Sequence, residues 1–187
     1  MSSEQRRVAV IGCAGAGKTT FAEALAARTG ARHVELDALF WGPGWTPAGD
    51  ESFRAAVDEA LPADGCWVAD GGYSRVRYIV WARAQALVFI DPPFPLVLWR
   101  VVRRTVVRSL GRVELWNGNR ESLREGLFSR DGLLLWVVAN RRAHRAKYEA
   151  LLADPRYVHL AIRRVRSARE VRECLAALSR EPEGAVR

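Results

Sequence analysis

Lysine is almost missing from this chain: Lys18 and Lys147 are the only two among the 29 basic residues in a length of 187. Arginine therefore carries nearly all of the formal net charge of +8. Cysteine is as sparse. Cys13, Cys66 and Cys174 are odd in number, far apart and without metal-ligand spacing, so neither a disulfide framework nor a zinc site is expected. Cys13 alone falls within a glycine-rich loop, where it reads as a small lining residue. No apolar run approaches the length of a membrane span, and Met1 to Arg7 holds no signal-peptide core, which points to a cytoplasmic protein without a membrane partner. There is no Asn-Lys-x-Asp segment to read a guanine base, no internal repeat and no low-complexity tract. With 49% hydrophobic and 27% charged residues the chain is expected to be globular, a single domain over residues 1–187.

What is present is organised around Gly12-Cys13-Ala14-Gly15-Ala16-Gly17-Lys18-Thr19, which has the spacing G-x-x-x-x-G-K-S/T of a phosphate-binding loop. Val8 to Ile11 before it reads as a buried parallel strand. Thr19 to Thr29 behind it has helical spacing, with Phe21, Leu25 and Ala26 on one face and Gly30 as the C-cap. Between strand and helix, glycines let backbone N–H groups turn inward, and the helix N-terminus adds partial positive charge where phosphates would lie. Gly12, Ala14, Gly15, Ala16, Gly17, Lys18, Thr19 and Thr20 are thus expected to bind ATP. Lys18 is the expected catalytic cation on the β- and γ-phosphates, and the Thr19 hydroxyl a ligand of Mg²⁺.

Further strands are expected at His33 to Asp37, Cys66 to Asp70, Ala86 to Asp91 and Tyr157 to Ile162. Ligands of an open parallel sheet bind beyond the carboxyl ends of its strands. Asp37 is therefore a candidate base or orienter for an acceptor hydroxyl, and Asp70 a candidate Mg²⁺ ligand, each against the alternative of an ordinary loop aspartate. Trp41 and Trp45 bracket Gly-Pro-Gly just past Asp37, and either wall an acceptor pocket or pack against the domain. Gly71 and Gly72 allow close backbone approach to a ligand, and Arg75 is placed to pair with an acceptor anion. A long helix from Pro95 is expected to bury Trp99, Val102, Val106 and Leu110 and to carry Arg100, Arg104 and Arg108 as a stripe that repels itself unless something anionic compensates it. The polar stretch 111–131 reads as a lid whose Arg120 and Arg124, with Arg104, supply catalytic cations. Arg163, Arg164 and Arg166 are expected at the end of the fifth strand, and Ser167 as the cap of a last helix.

The alternation of strands and helices around this loop resembles the P-loop kinases of the adenylate and shikimate kinase type. Leu36-Asp37-Ala38-Leu39-Phe40-Trp41, Asp70-Gly71-Gly72-Tyr73 and Glu114-Leu115-Trp116-Asn117-Gly118-Asn119-Arg120-Glu121 further resemble the adenylate-kinase-related proteins labelled topology-modulation proteins. The resemblance implies an α/β fold in three layers, a five-stranded parallel sheet in the order 2-3-1-4-5 with helices on both faces, a helical lid insertion, and ATP with Mg²⁺ in the crevice. The expected function is a cytoplasmic kinase, monomeric or homodimeric, that transfers phosphate to a small acceptor bearing a hydroxyl or phosphate. An ATP-binding protein acting on nucleic acid, suggested by the arginines and the family label, and a regulatory NTPase are the alternatives.

Overall fold

A computed structural model describes residues 6–123 and 133–180. Five parallel strands, β1 (Arg7–Gly12), β2 (Arg32–Glu35), β3 (Trp67–Asp70), β4 (Ala86–Ile90) and β5 (Ala161–Val165), form one sheet in the order β2-β3-β1-β4-β5. The helices are α1 (Lys18–Thr29), α2 (Leu36–Phe40), α3 (Asp50–Ala60), α4 (Arg77–Arg83), α5 (Phe94–Leu110), α6 (Leu133–Leu152) and α7 (Ala168–Arg180).

The central strands are continuous apolar runs, and a strand buried on both faces must be covered on both. The two-residue period of the pleat then sorts their side chains into two cores. Val8, Val10, Val68, Val88 and Ile90 pack against Phe21, Ala22 and Leu25 of α1 and Cys174, Leu175 and Leu178 of α7. Ala9, Ile11, Trp67, Ala69, Leu87 and Phe89 point the other way, against Phe53 and Val57 of α3, Val80 and Trp81 of α4 and Tyr148 of α6. Register sets Val10 beside Asp70, Asp70 beside Glu35 and Gly12 beside Ile90, so the strands end level along one edge. That edge is where the phosphate-loop residues and the carboxylates meet.

Three expectations need correction. β2 ends at Glu35, and Asp37 lies in the first turn of the short helix α2, whose carbonyl at Asp37 accepts from the Trp41 amide at 3.0 Å. The fifth strand begins at Ala161 rather than Tyr157. Asp154 caps a 3₁₀ turn over Pro155–Tyr157, and the Tyr157 ring packs edge-on to Trp81. Arg163 and Arg164 are consequently inside this edge strand, where Arg164 pairs with Asp91. Lastly, α5 buries Val97, Val101 and Thr105, while Trp99 and Leu110 are 60% and 72% exposed. The helix packs on the phosphate loop and on Val137 of α6 instead of lying along the sheet, and this selects the other stripe. α4 carries no breaker or cap signal that would have announced it. Ser167 does cap α7: its hydroxyl accepts from the Glu170 amide at 3.2 Å, and the Glu170 carboxylate accepts from the Arg166 amide at 2.9 Å.

Candidate active site

Gly12, Gly15 and Gly17 have φ of 153°, 78° and 102°, a backbone path closed to other residues without strain. Crowding adds to the requirement. A Cβ on Gly12 would lie 2.5 Å from the Ile90 carbonyl, and one on Gly15 2.6 Å from Val101 Cγ2. Ala14 packs beside Val97 and Val101, and Ala16 is buried with its amide on the Cys13 carbonyl at 3.1 Å. Gly17 precedes α1 without a side-chain cap, so the first N–H groups of the helix, around Lys18, Thr19 and Thr20, keep their donors for a ligand. Lys18 Nζ donates to the Cys13 carbonyl at 3.1 Å, folded back across the loop.

A cleft of about 710 Å³ opens in front of this turn. The loop and α1 form one wall; Arg100, Arg103, Arg104 and Arg108 of α5 form the second, and Arg166 and Ser167 with Arg172 the third. The arginine stripe is therefore not a solvated face. Arg100 donates to the Ala16 carbonyl at 2.9 Å, and Arg108 to Glu121 at 2.9 Å. Arg104 differs: its Nε is buried without a hydrogen-bond partner. Burial, with Arg108 adding to it, lowers its pKa from the usual arginine range, and the carboxylates of Glu121 and Asp37 oppose that.

Behind the loop, the Thr19 hydroxyl donates to Asp70 Oδ2 at 2.6 Å, and His33 Nε2 meets Asp70 Oδ1 at 3.1 Å. Asp70 is buried. Its hydrogen bond is the main reason that the His33 pKa is raised, against desolvation. Beside it lies Glu35, whose Oε2 accepts from the Trp116 indole at 2.8 Å. Burial raises the Glu35 pKa; the Trp116 bond opposes this, and the Asp70 charge adds to the rise. His33 and Glu35 belong to no motif in the sequence beyond the expected second strand. The missed signal was strand parity: with Val34 in the opposite core, both neighbours face α1, on the side of Asp70. Glu23 of α1 completes a group with them whose potential ligand atoms lie within 4.8 Å of one another.

Among the residues expected to meet an acceptor, Tyr73 Oη donates to Asp37 Oδ1 at 2.5 Å. Burial, reinforced by the Asp37 charge, pushes the phenol pKa far up, so it remains a donor. Gly71, with φ of 141°, packs against Leu36, and Gly72 meets the Tyr148 hydroxyl. Trp41 and Trp45 touch each other edge-on at 5.8 Å, and Trp45 touches Trp116 at 6.3 Å. Arg75 turns to Asp50 at 2.8 Å and lies over the Phe40 ring. Arg120 is exposed and 3.7 Å from Glu114. Arg124 and much of the expected lid lie outside the described residues.

No protein-family model and no curated protein matches the chain. Solved structures do. A gluconokinase from Sinorhizobium meliloti 1021 aligns with a TM-score of 0.53 at 25% identity, over 94% of this chain and 92% of that one. A shikimate kinase from Acinetobacter baumannii in complex with shikimate aligns at 0.58 and 18% identity, covering 93% and 90%. A shikimate kinase from Bacteroides thetaiotaomicron aligns at 0.52 and 16%, covering 92% and 96%. The fold is that of the P-loop NMP/shikimate kinase-like superfamily. In a P-loop kinase fold of this strand order the crevice beyond the strand ends is where Lys18, Thr19, Asp70, Glu35 and Asp37 gather. Among the described residues no helix is long and apolar enough to cross a membrane.

Proposed function

We propose that the chain is a phosphotransferase that uses ATP with Mg²⁺ and acts on a small acceptor bearing a hydroxyl or phosphate. The observation that carries this reading is the joined geometry of the phosphate loop: uncapped helix N–H groups, three glycines in left-handed backbone, Lys18 across the turn, and Thr19 bonded to a buried Asp70. The gluconokinase and shikimate kinase likeness supports it at the level of reaction class.

The residues fit the groups they would hold. The hydroxyl of Thr19 with the carboxylate of Asp70 is a hard oxygen pair, with Glu35 the register neighbour of Asp70, and such donors suit Mg²⁺ and not a thiophilic metal. When bound, Mg²⁺ supplies charge neutralisation on the terminal phosphates. The loop amides bind phosphate oxygens, and Lys18 exchanges the Cys13 carbonyl for them. Arg100 and Arg104 set positive charge along the same cleft wall, where charge on a transferred phosphoryl group would develop. Asp37 orients the acceptor: with Oδ1 held by Tyr73, its Oδ2 is left for a hydroxyl proton. Little covalent work falls to the protein in such a transfer, so positioning and electrostatics dominate.

A basic stripe laid along the nucleotide cleft favours this reading over a nucleic-acid track. The test is calorimetry with a magnesium complex of a non-hydrolysable ATP analogue, then a phosphotransfer screen over nucleosides, nucleotides and small hydroxyl metabolites. Lys18→Ala is expected to lower transfer by about 10²-fold or more. Absence of any magnesium nucleotide affinity in the wild type, or transfer undiminished in Lys18→Ala, removes the proposal.

A further inference from the structure

Two segments far apart in sequence fold into one body. A bridge between Trp41 and Pro47 closes the first into a loop, and one between Glu114 and Arg120 closes the second, at the base of the expected lid. Each turns through left-handed backbone, at Gly44 and Trp45 in one and at Asn117 and Gly118 in the other. Asn119, only 4% exposed, joins them through its side-chain amide. Its Nδ2 donates to the Gly42 and Trp116 carbonyls, both at 2.9 Å, and its Oδ1 accepts from the Trp45 amide at 2.9 Å. Asn117 Nδ2 adds a bond to the Trp41 carbonyl at 2.6 Å, and Trp45 Nε1 one to the Arg120 carbonyl at 3.3 Å.

From this body a polar contact reaches the last residue of a strand. Trp116 donates to Glu35, the last residue of β2 and the register partner of Asp70. The indole ring packs edge-on against Trp45, and the Trp116 backbone is held by the Asn119 bond to its carbonyl. A buried carboxylate and a half-buried one side by side repel each other, and the direction each takes is set by its donors. Asp70 has Thr19 and His33; Glu35 has Trp116.

We infer that Asn119 and Trp116 are positioning residues. Asn119 fastens the lid base to the Trp41–Pro47 loop, and Trp116 transmits that fastening to Glu35, aiming its carboxylate at the metal of the bound nucleotide. The role of Glu35 rests on the kinase reading; the fastening does not. Ordering of the loop beside the acceptor residues and engagement of magnesium nucleotide are then one event, because the same body carries both contacts.

Hydrogen exchange and calorimetry test this separately. In free protein, Asn119→Ala should speed amide exchange at Trp45 and its neighbours by about tenfold or more, since that amide loses its acceptor and the clasp its centre. Asn117→Ala, at an exposed position, should do so to a lesser degree and guards against a misfolded first variant. Trp116→Phe keeps the ring and removes the donor. It should raise the Mg²⁺ concentration needed for half-maximal binding of the ATP analogue by about tenfold, the lower range for a lost outer-shell partner, with metal-free nucleotide affinity unchanged. In wild type the magnesium analogue should slow exchange in residues 41–47 and 114–120 together; in Asn119→Ala it should slow the second alone. Exchange at Trp45 within about twofold of wild type in both asparagine variants overturns the fastening. An unchanged Mg²⁺ requirement in Trp116→Phe overturns the aiming of Glu35. A wild type that binds no nucleotide overturns the aiming with the kinase reading, and leaves the free-protein exchange to decide the fastening.

Discussion

Asp70→Asn is the substitution whose effect can be worked out furthest. The carboxylate is 5% exposed and holds two partners, Thr19 through Oδ2 at 2.6 Å and His33 through Oδ1 at 3.1 Å. Asparagine has nearly the same shape, so packing is retained and the charge is what changes. The His33 pKa lies above its ordinary 6.5 because of the Asp70 bond. A group raised in the folded state contributes stability that is complete below its unfolded pKa and is lost as pH rises through the folded one. A hydrogen bond to a charged partner contributes about 1.5–3 kcal/mol and a neutral one about 0.5–1.5, a difference of about 1–1.5 kcal/mol. The cost of Asp70→Asn should therefore be greater near pH 5.5 than near pH 8.5 by about 1 kcal/mol, or roughly 2–4 °C in Tm for a domain of this size. Thermal melts of both proteins across that range, without nucleotide or metal, read it directly. In a His33→Gln background the pH dependence of the gap should vanish. A gap that is flat, or that widens toward alkaline pH, refutes the pairing as the source of the His33 shift.

Two other substitutions probe α5 and its approach to the phosphate loop. Arg104→Met removes a buried cation whose Nε has no partner, so stability should stay within about 1 kcal/mol of wild type or rise, while calorimetry shows weaker binding of the ATP analogue; lower stability with unchanged affinity would make Arg104 a packing residue. Gly15→Ala forces a Cβ to within 2.6 Å of Val101 Cγ2 at a φ of 78°. It should cost about 2–4 kcal/mol from strain and overpacking together, and a Tm within about 2 °C of wild type would contradict the close approach of α5 to the loop.

The sheet was legible because burial on both faces leaves so little freedom. Val8 to Ile11, Trp67 to Ala69 and Ala86 to Ile90 are apolar without interruption, and the glycine spacing after the first names the turn between strand and helix. β5 was misplaced for a related reason. As an edge strand it carries Arg163 and Arg164, both half-buried, and leaves Ala161 and Ile162 exposed, so its interior reads as a polar loop, whereas the apolar stretch ahead of it is a 3₁₀ turn held by Trp81. The face of α5 misled in the same way. Its period of apolar residues fits two stripes, and only the position of the phosphate loop and α6 decides that Val97 and Val101 go in and Trp99 stays out. Periodicity reports that a face is buried; it does not report against what.

The body formed by residues 41–47 and 114–120 shows what sequence patterns cannot carry at all. Its cohesion comes from side chains bonded to backbone groups across the fold: Asn119 to Gly42 and Trp45, Asn117 to Trp41, Trp45 to Arg120. Such bonds have no period and no composition, and each partner seen alone is an ordinary turn residue. The arginines of α5 are the counterpart in charge. Counted along the sequence they give a basic helix, a footprint that suits nucleic acid as well as anything. Placed in space, Arg100 is taken by the Ala16 carbonyl and Arg108 by Glu121, and Arg104 is left with a buried, unpartnered Nε at the wall of the cleft that faces Lys18. A chain that satisfies two of three like charges internally and keeps the third desolvated has concentrated its demand for an anion at one point. That point lies on the wall of the cleft that Lys18 also lines, where the proposed nucleotide's phosphates would sit.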